Sequence, residues 1–198
     1  LNNTPSVYAT KSGGGFGDAR ITIRGFAQEN IAVLINGVPV NDMENGRVYW
    51  SNWAGLADVT TAMQVQRGLG SSKLAISSVG GTINIVTKTT DLKEGGSIVS
   101  SVGNDGYFKN LASYNTGKNE NGFAASFLMS RTAGNGYVDG TKFEGFNYFI
   151  GLGWDKGDHN FQFMLTGAPQ THNQRTTSFF NMADIGDYLQ YGKKYNYN

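Results

Sequence analysis

The sequence predicts a membrane β-barrel, with about its first five strands over residues 91–198, preceded by a smaller α+β domain over residues 1–90. Three observations predict it. From Gly95 onward large apolar residues recur at every second position in runs long enough for a tilted strand to cross a bilayer, ~9–11 residues. The connections between those runs alternate short and long, the pattern of an outer-membrane barrel. Glycine occupies 28 of 198 positions, about twice the usual ~7%, and charged residues only 16% against roughly 25%, a turn-rich and aromatic-rich β composition.

The first ninety residues read as β-rich segments joined by glycine-rich or polar loops. Pro5 is followed by a loop, Lys11–Asp18, that contains the glycine run Gly13-Gly14-Gly15. Arg20 to Arg24 alternates, with Ile21 and Ile23 on one side and Arg20, Thr22 and Arg24 on the other, which predicts a half-buried strand. Ile31 to Ile35 is a short apolar strand, and Asn36-Gly37 is a strong hairpin signal. Val38-Pro39-Val40 is the return strand, short or at an edge because Pro39 has no N–H to give. A polar and aromatic loop follows from Asn41 to Trp53, then a short helix over about Gly55–Ala62. Met63–Arg67 is a strand, Gly68–Ser72 a turn, Lys73–Ser77 a helical turn and Thr82–Thr87 a strand.

The second part reads as strands over about 96–103, 106–116, 122–132, 145–154 and 159–168. One face of the fourth is Phe146, Tyr148, Ile150, Leu152 and Trp154; the fifth repeats this with Phe161, Phe163 and Leu165, and the third with Phe123, Ala125, Phe127 and Met129. In the second strand Phe108, Ala112 and Tyr114 offer one face, Tyr107 and Leu111 another. Lys118–Asn121 and Asp155–Asp158 are short turns; Ala133–Glu144 is a long connection, and a polar tail runs from Thr171 to Asn198. Phe123, Trp154 and Phe161 lie beside the short turns, where a membrane interface belongs. A soluble sandwich also alternates, with its apolar face inward. Strand length, connection lengths and the aromatics favour lipid, where strands satisfy their backbone only in a closed sheet.

Several chemistries are excluded. The net charge of +1 offers no clustered basic face for nucleic acid. There is no cysteine, hence no disulfide framework. Gly68-Leu-Gly-Ser-Ser-Lys73 lacks phosphate-loop spacing, and Gly151–Gly157 lacks a dinucleotide fingerprint. Asp42-x-Glu44-x-Gly46 is a calcium-like spacing that reads better as solvated loop acids. His159 and His172 have no partner at metal-ligand spacing, and no nucleophile–base set is present. No enzyme, metal or cofactor is expected.

Ile23-Arg-Gly-Phe26, Val33-Leu-Ile-Asn-Gly-Val-Pro-Val40, Val65-Gln-Arg-Gly68 and Gly80-Gly-Thr-Ile-Asn-Ile-Val-Thr-Lys88 come in the order and at the spacings of a plug domain, so the chain resembles the TonB-dependent outer-membrane receptors. The resemblance implies a 22-stranded barrel with this globular plug filling its lumen, since so wide a barrel would otherwise stand open. It implies uptake of a scarce nutrient (iron–siderophore, cobalamin or glycan) energised by TonB, which grips a segment upstream of residue 1 by strand addition. The outer membrane is the implied location, and a surface lipoprotein is a partner in the glycan-importing branch. The first residues look like the middle of a domain, and the remaining strands are expected beyond Asn198. The loops Lys11–Asp18, Ala27–Asn30 and Asn41–Trp53 are the implied ligand-facing apices. Tyr49, Trp50 and Trp53 would stack on a ligand, with Gln28, Asn41, Arg47 and Asn52 hydrogen-bonding; His172 in an outward loop could reach it. Trp50 and Trp53 could equally pack the plug on the barrel wall. Arg24 and Arg67 match the family's plug arginines, which face wall glutamates, the alternative being solvated strand arginines. A second function remains open: a soluble or surface β-rich module binding glycans through Tyr49, Trp50 and Trp53.

Overall fold

The structure is a computed structural model and describes residues 4–11, 19–68, 78–173, 190–192 and 194–196. The first domain contains a hairpin of β1 (Val7–Lys11) and β2 (Ala19–Ile23) beside a four-stranded sheet. In that sheet β3 (Ile31–Ile35) runs parallel to β6 (Gly81–Val86), flanked by β4 (Val38–Pro39) and β5 (Ala62–Arg67) in the order β4-β3-β6-β5. All five residues of β3 are buried, as their unbroken apolar run requires of a central strand. Asn36 and Gly37 have φ of 51° and 84°, the positive pair that a two-residue hairpin with the right twist demands. The return strand β4 is two residues long and lies at the sheet edge, as expected from Pro39.

Two expectations for this domain need correction. Lys11, expected in the glycine-rich loop, instead ends β1, which pairs antiparallel with β2 along its whole length. No α-helix occupies Gly55–Ala62. The chain makes two 3-10 turns instead, Trp50–Trp53 and Leu56–Asp58. The Thr60 hydroxyl donates to the Leu56 carbonyl, and Gly55 is pressed so closely on Asn147 that an added Cβ would lie 2.9 Å from that residue's Cβ. Helix-poor Asp58, Val59 and Thr60 follow, so a longer helix has no support. The expected helical turn at Lys73–Ser77 lies outside the described residues, as does the loop 12–18.

The second domain is an antiparallel meander of β7 (Gly95–Val102), β8 (Phe108–Asn115), β9 (Phe123–Gly134), β10 (Phe143–Lys156) and β11 (His159–Gly167). All five expected strands are present. A short β12 (Gln170–His172) prolongs β11 along β10 without a change of register. The gap between them is Ala168 and Pro169; Pro169 cannot donate, although its carbonyl still accepts from the Phe146 N–H. Strands β9 and β10 extend beyond their expected ends, so the long connection shrinks to residues 135–142. The turn at 103–107 is tighter than the one at 116–122, so connection length alternates less than the sequence implied.

The two faces of this sheet meet different surroundings. On one, Phe123, Phe127, Met129, Phe146, Tyr148, Leu152, Phe161, Phe163 and Leu165 are all exposed. Phe123, Trp154 and Phe161 are direct cross-strand neighbours with ring centroids 6.0 and 5.7 Å apart, and the Trp154 Nε1–H donates to the Asn121 carbonyl. At the other rim the Arg131 guanidinium lies over the rings of Phe108 and Phe146 and pairs with Glu144 at 2.7 Å. From Phe146 to Trp154 is about 26 Å along the strand at ~3.3 Å per residue. With a barrel strand's usual tilt that is about 20 Å of height, close to the ~25 Å apolar band of membrane barrels. Phe108, Ala112 and Tyr114 share this outward face, which settles the ambiguity in β8. The opposite face packs on the first domain: Leu111, Leu128 and Phe149 belong to one buried cluster with Ile23, Ile31, Val33, Ile83 and Ile85.

Candidate functional site

The packing orients the first domain within the sheet. Thr89 and Thr90, just after β6, lie on Gly151 and Gly153 of β10, and Lys88 reaches Asp155 at 3.9 Å. That is the rim of the tight 157–158 turn. Strands β3 and β6 are parallel and both end toward this rim, so their starts, Ile31 and Gly81, face the opposite one. Residues 27–30 and 46–49 gather at those starts. A Cβ on Gly46 would lie 3.3 Å from the Glu29 carbonyl oxygen, so the two loops touch backbone to side-chain-free backbone.

Between them is a pocket of about 360 Å³ whose polar lining is Arg20, Gln28, Glu29, Arg47 and Tyr49. This lies in the size range of small-molecule sites, ~300–1,000 Å³. Glu29 accepts from the Arg47 Nε at 2.6 Å, its carboxyl held below the usual range by a hydrogen bond from its own backbone and then by Arg47. The Trp50 Nε1–H reaches the Gln28 Oε1 at 3.4 Å, and the Asn45 amide donates to the Tyr49 hydroxyl at 2.9 Å. That leaves the Tyr49 proton able to donate, beside a half-exposed ring. Two guanidinium groups and a phenol against one carboxylate make the pocket donor-rich and net positive, suited to a ligand that presents oxygen acceptors and a flat face.

The structure therefore brings Gln28, Arg47 and Tyr49 together, and adds Arg20 and Glu29, which the sequence did not single out. The pairing of Glu29 with Arg47 crosses 18 residues, and nothing local announces it. Asn41 has a different position: its amide donates to the carbonyls of Ile31 and Gly46 while its Oδ1 accepts the Val33 N–H, so it fastens the loop to β3. Trp50 and Trp53 are half-buried against the core cluster, and their 3-10 turn lies along β11. Asn52 is exposed on the same turn.

His172 is not in an outward loop. It ends β12 opposite Phe143, at a position with the parity of the inward-facing Gln162 and Met164. Arg24 and Arg67 are exposed, and among the described residues neither is in an ion pair. The Arg24 guanidinium lies against Gly68, where an added Cβ would be 2.8 Å from it. Among the described residues two ion pairs join the domains, Lys109 to Asp58 at 2.8 Å and Lys88 to Asp155 at 3.9 Å, and the sequence suggested neither. Among the described residues no group of three or more potential metal ligands occurs.

Comparisons with known proteins agree with this architecture. Residues 1–82 match the TonB-dependent Receptor Plug Domain. A probable TonB-dependent siderophore receptor PirA of Acinetobacter baumannii is 31% identical over 88 residues, which is 40% of this chain and 12% of that protein. The vitamin B12 transporter BtuB of Vibrio vulnificus is 26% identical over 105 residues, 53% of this chain and 17% of that protein. The matched stretches thus span less than a fifth of these relatives' length. Among solved structures, the copper transporter OprC superposes with a TM-score of 0.69 at 16% identity, over 89% of this chain and 28% of that one. The siderophore receptor PirA from Acinetobacter baumannii superposes with a TM-score of 0.62 at 16% identity, over 98% of this chain and 32% of that one.

Proposed function

We propose that this chain, which belongs to the TonB-dependent outer-membrane receptors, supplies the plug and first wall strands of a transporter that binds a scarce nutrient and imports it by TonB-driven rearrangement of the plug. The observation that carries the reading is the two-sidedness of one sheet. Phe127 is 46% exposed and its neighbour Leu128 4%, with the plug core against the latter. A soluble glycan-binding module would not leave nine large apolar side chains of one sheet in water. The nutrient is an iron–siderophore complex, cobalamin or a glycan, and the first contact is the pocket of Arg20, Gln28, Glu29, Arg47 and Tyr49. TonB acts from the periplasm on a segment upstream of residue 1.

The test is growth of a strain lacking the gene on defined iron, cobalamin or glycan sources, with and without TonB. A single source on which growth fails in both mutants, and is restored by the gene only when TonB is present, is the expected result. Normal growth on every source, or rescue without TonB, refutes the proposal.

A further inference from the structure

The junction between plug and wall combines glycine close approaches with side-chain hydrogen bonds from wall to plug. Thr89 and Thr90, 2% and 5% exposed, begin a 3-10 turn, Thr89–Asp91, between β6 and β7. They rest on Gly151 and Gly153, two alternate positions on the inward face of β10. An added Cβ at Gly153 would lie 2.6 Å from the Thr90 Cγ2, and one at Gly151 would collide with the Thr89 hydroxyl. Glycine weakens a strand interior and is tolerated where another chain segment must come this close.

Gln162 on the adjacent β11 closes the seat. Its Oε1 accepts the Thr89 N–H at 3.3 Å and its Nε2 donates to the Thr90 hydroxyl at 3.2 Å. On the plug side, Asn36 exchanges two 2.8 Å hydrogen bonds with Thr87, one to its hydroxyl and one from its N–H. Elsewhere, among the described residues, the plug meets the wall through apolar packing at Leu128 and Phe149, the close approach of Gly55 to Asn147 and the pair Asp58–Lys109. Apolar contacts without directional bonds can be parted and remade; a shape-matched seat with paired polar groups resists sliding.

We propose that Thr89 and Thr90, held by Gly151, Gly153 and Gln162, are the fixed joint of the receptor, and that the plug moves about this joint while it stays docked. The inference rests on the transport reading above and names the positioning residues of that cycle.

A thiol-accessibility experiment tests it in the full-length receptor in cells, with a small maleimide as the probe. Thr89→Cys is expected to stay unreactive whether or not TonB is present. Ser51→Cys in the plug body, 8% exposed at rest, is expected to react at least about tenfold faster when TonB is present, as local opening exposes it. Adding Gly153→Ala to Thr89→Cys unseats Thr90, and Cys labelling at 89 then becomes TonB-dependent. TonB-dependent labelling at 89 with Gly153 intact overturns the joint. So does continued protection at 89 once Gly153→Ala is present. Labelling at 51 that ignores TonB overturns the transport reading itself, and the joint with it.

Discussion

Arg47 is held in place at the pocket by a carboxylate 18 residues earlier in the chain, and that pairing makes predictions about binding rather than stability. Both side chains are partly exposed, 56% and 32%, so the pair adds only ~0.2–1 kcal/mol to folding. An arginine donating to a ligand oxygen is worth more, ~1.5–3 kcal/mol. Arg47→Ala is therefore expected to weaken binding of the nutrient found by the growth assay about 10–100-fold, with an unchanged unfolding midpoint, measured by titration calorimetry on the full-length receptor. The pH dependence has a definite sign. The folded Glu29 pKa is depressed, so the pair is fully formed above the ordinary carboxylate value and lost as pH falls through the lower folded one. Affinity should be flat from about pH 8 to pH 5 and decline only below about pH 4. A decline centred near pH 6 would mean that another group controls the site. Asn41 carries a contrasting prediction. Asn41→Ala leaves buried backbone groups of β3 and the loop unpaired, at ~1–3 kcal/mol. Amide exchange at Val33 should accelerate about tenfold or more, while Arg47→Ala leaves it unchanged. The loops that build the site were legible in the sequence, but the division of labour within them was not. An asparagine reads alike whether its amide faces solvent or three backbone groups.

At the level of elements the strands were the most legible part, because a period of two with aromatics on one face survives any register. What the sequence concealed had local causes. The glycine run masked β1, since glycine signals a turn without saying what lies on either side. The fifth strand was expected to end near residue 168, but the missing N–H of Pro169 only interrupts pairing, and β12 resumes in the same register. The short helix was lost to packing: Gly55 must lie flat on Asn147, which no periodicity in residues 55–62 reveals. The lipid-facing reading of β11 can be measured directly. Leu165 is 46% exposed and pairs with Ile150 midway along the apolar band. Leu165→Arg should destabilise the full-length receptor by ~2–4 kcal/mol in denaturant titrations in lipid vesicles, the cost of arginine at mid-bilayer on a barrel's outer face. Val102→Arg, outward but at the strand's end, should cost ~0–1 kcal/mol. Equal effects at the two sites would place the face in water.

The whole molecule is organised by the sharing of one core between two domains, with the wall strands contributing Leu111, Leu128 and Phe149 to a cluster otherwise built from the plug. A barrel wall that lends side chains to its plug ties the seal of the lumen to side-chain packing, and adjacent residues on β9 separate that role from lipid contact. Leu128 points inward at 4% exposure and Phe127 outward at 46%. Truncating Leu128 to alanine removes buried volume where plug meets wall, at ~2–5 kcal/mol. The barrel cannot collapse to fill the gap, because its strands are fixed by their hydrogen bonds to one another. The loss therefore falls on the docking of the plug. In planar bilayers the full-length Leu128→Ala receptor should show ion conductance well above the unmodified protein, as a loosened plug leaks, with barrel strand content by circular dichroism unchanged. Phe127→Ala loses a larger side chain one residue away, yet removes it from a surface that lipid chains refill, so its conductance should match the unmodified receptor. Leakage from Phe127→Ala and not from Leu128→Ala would invert the assignment of the two faces, and with it the location of the plug.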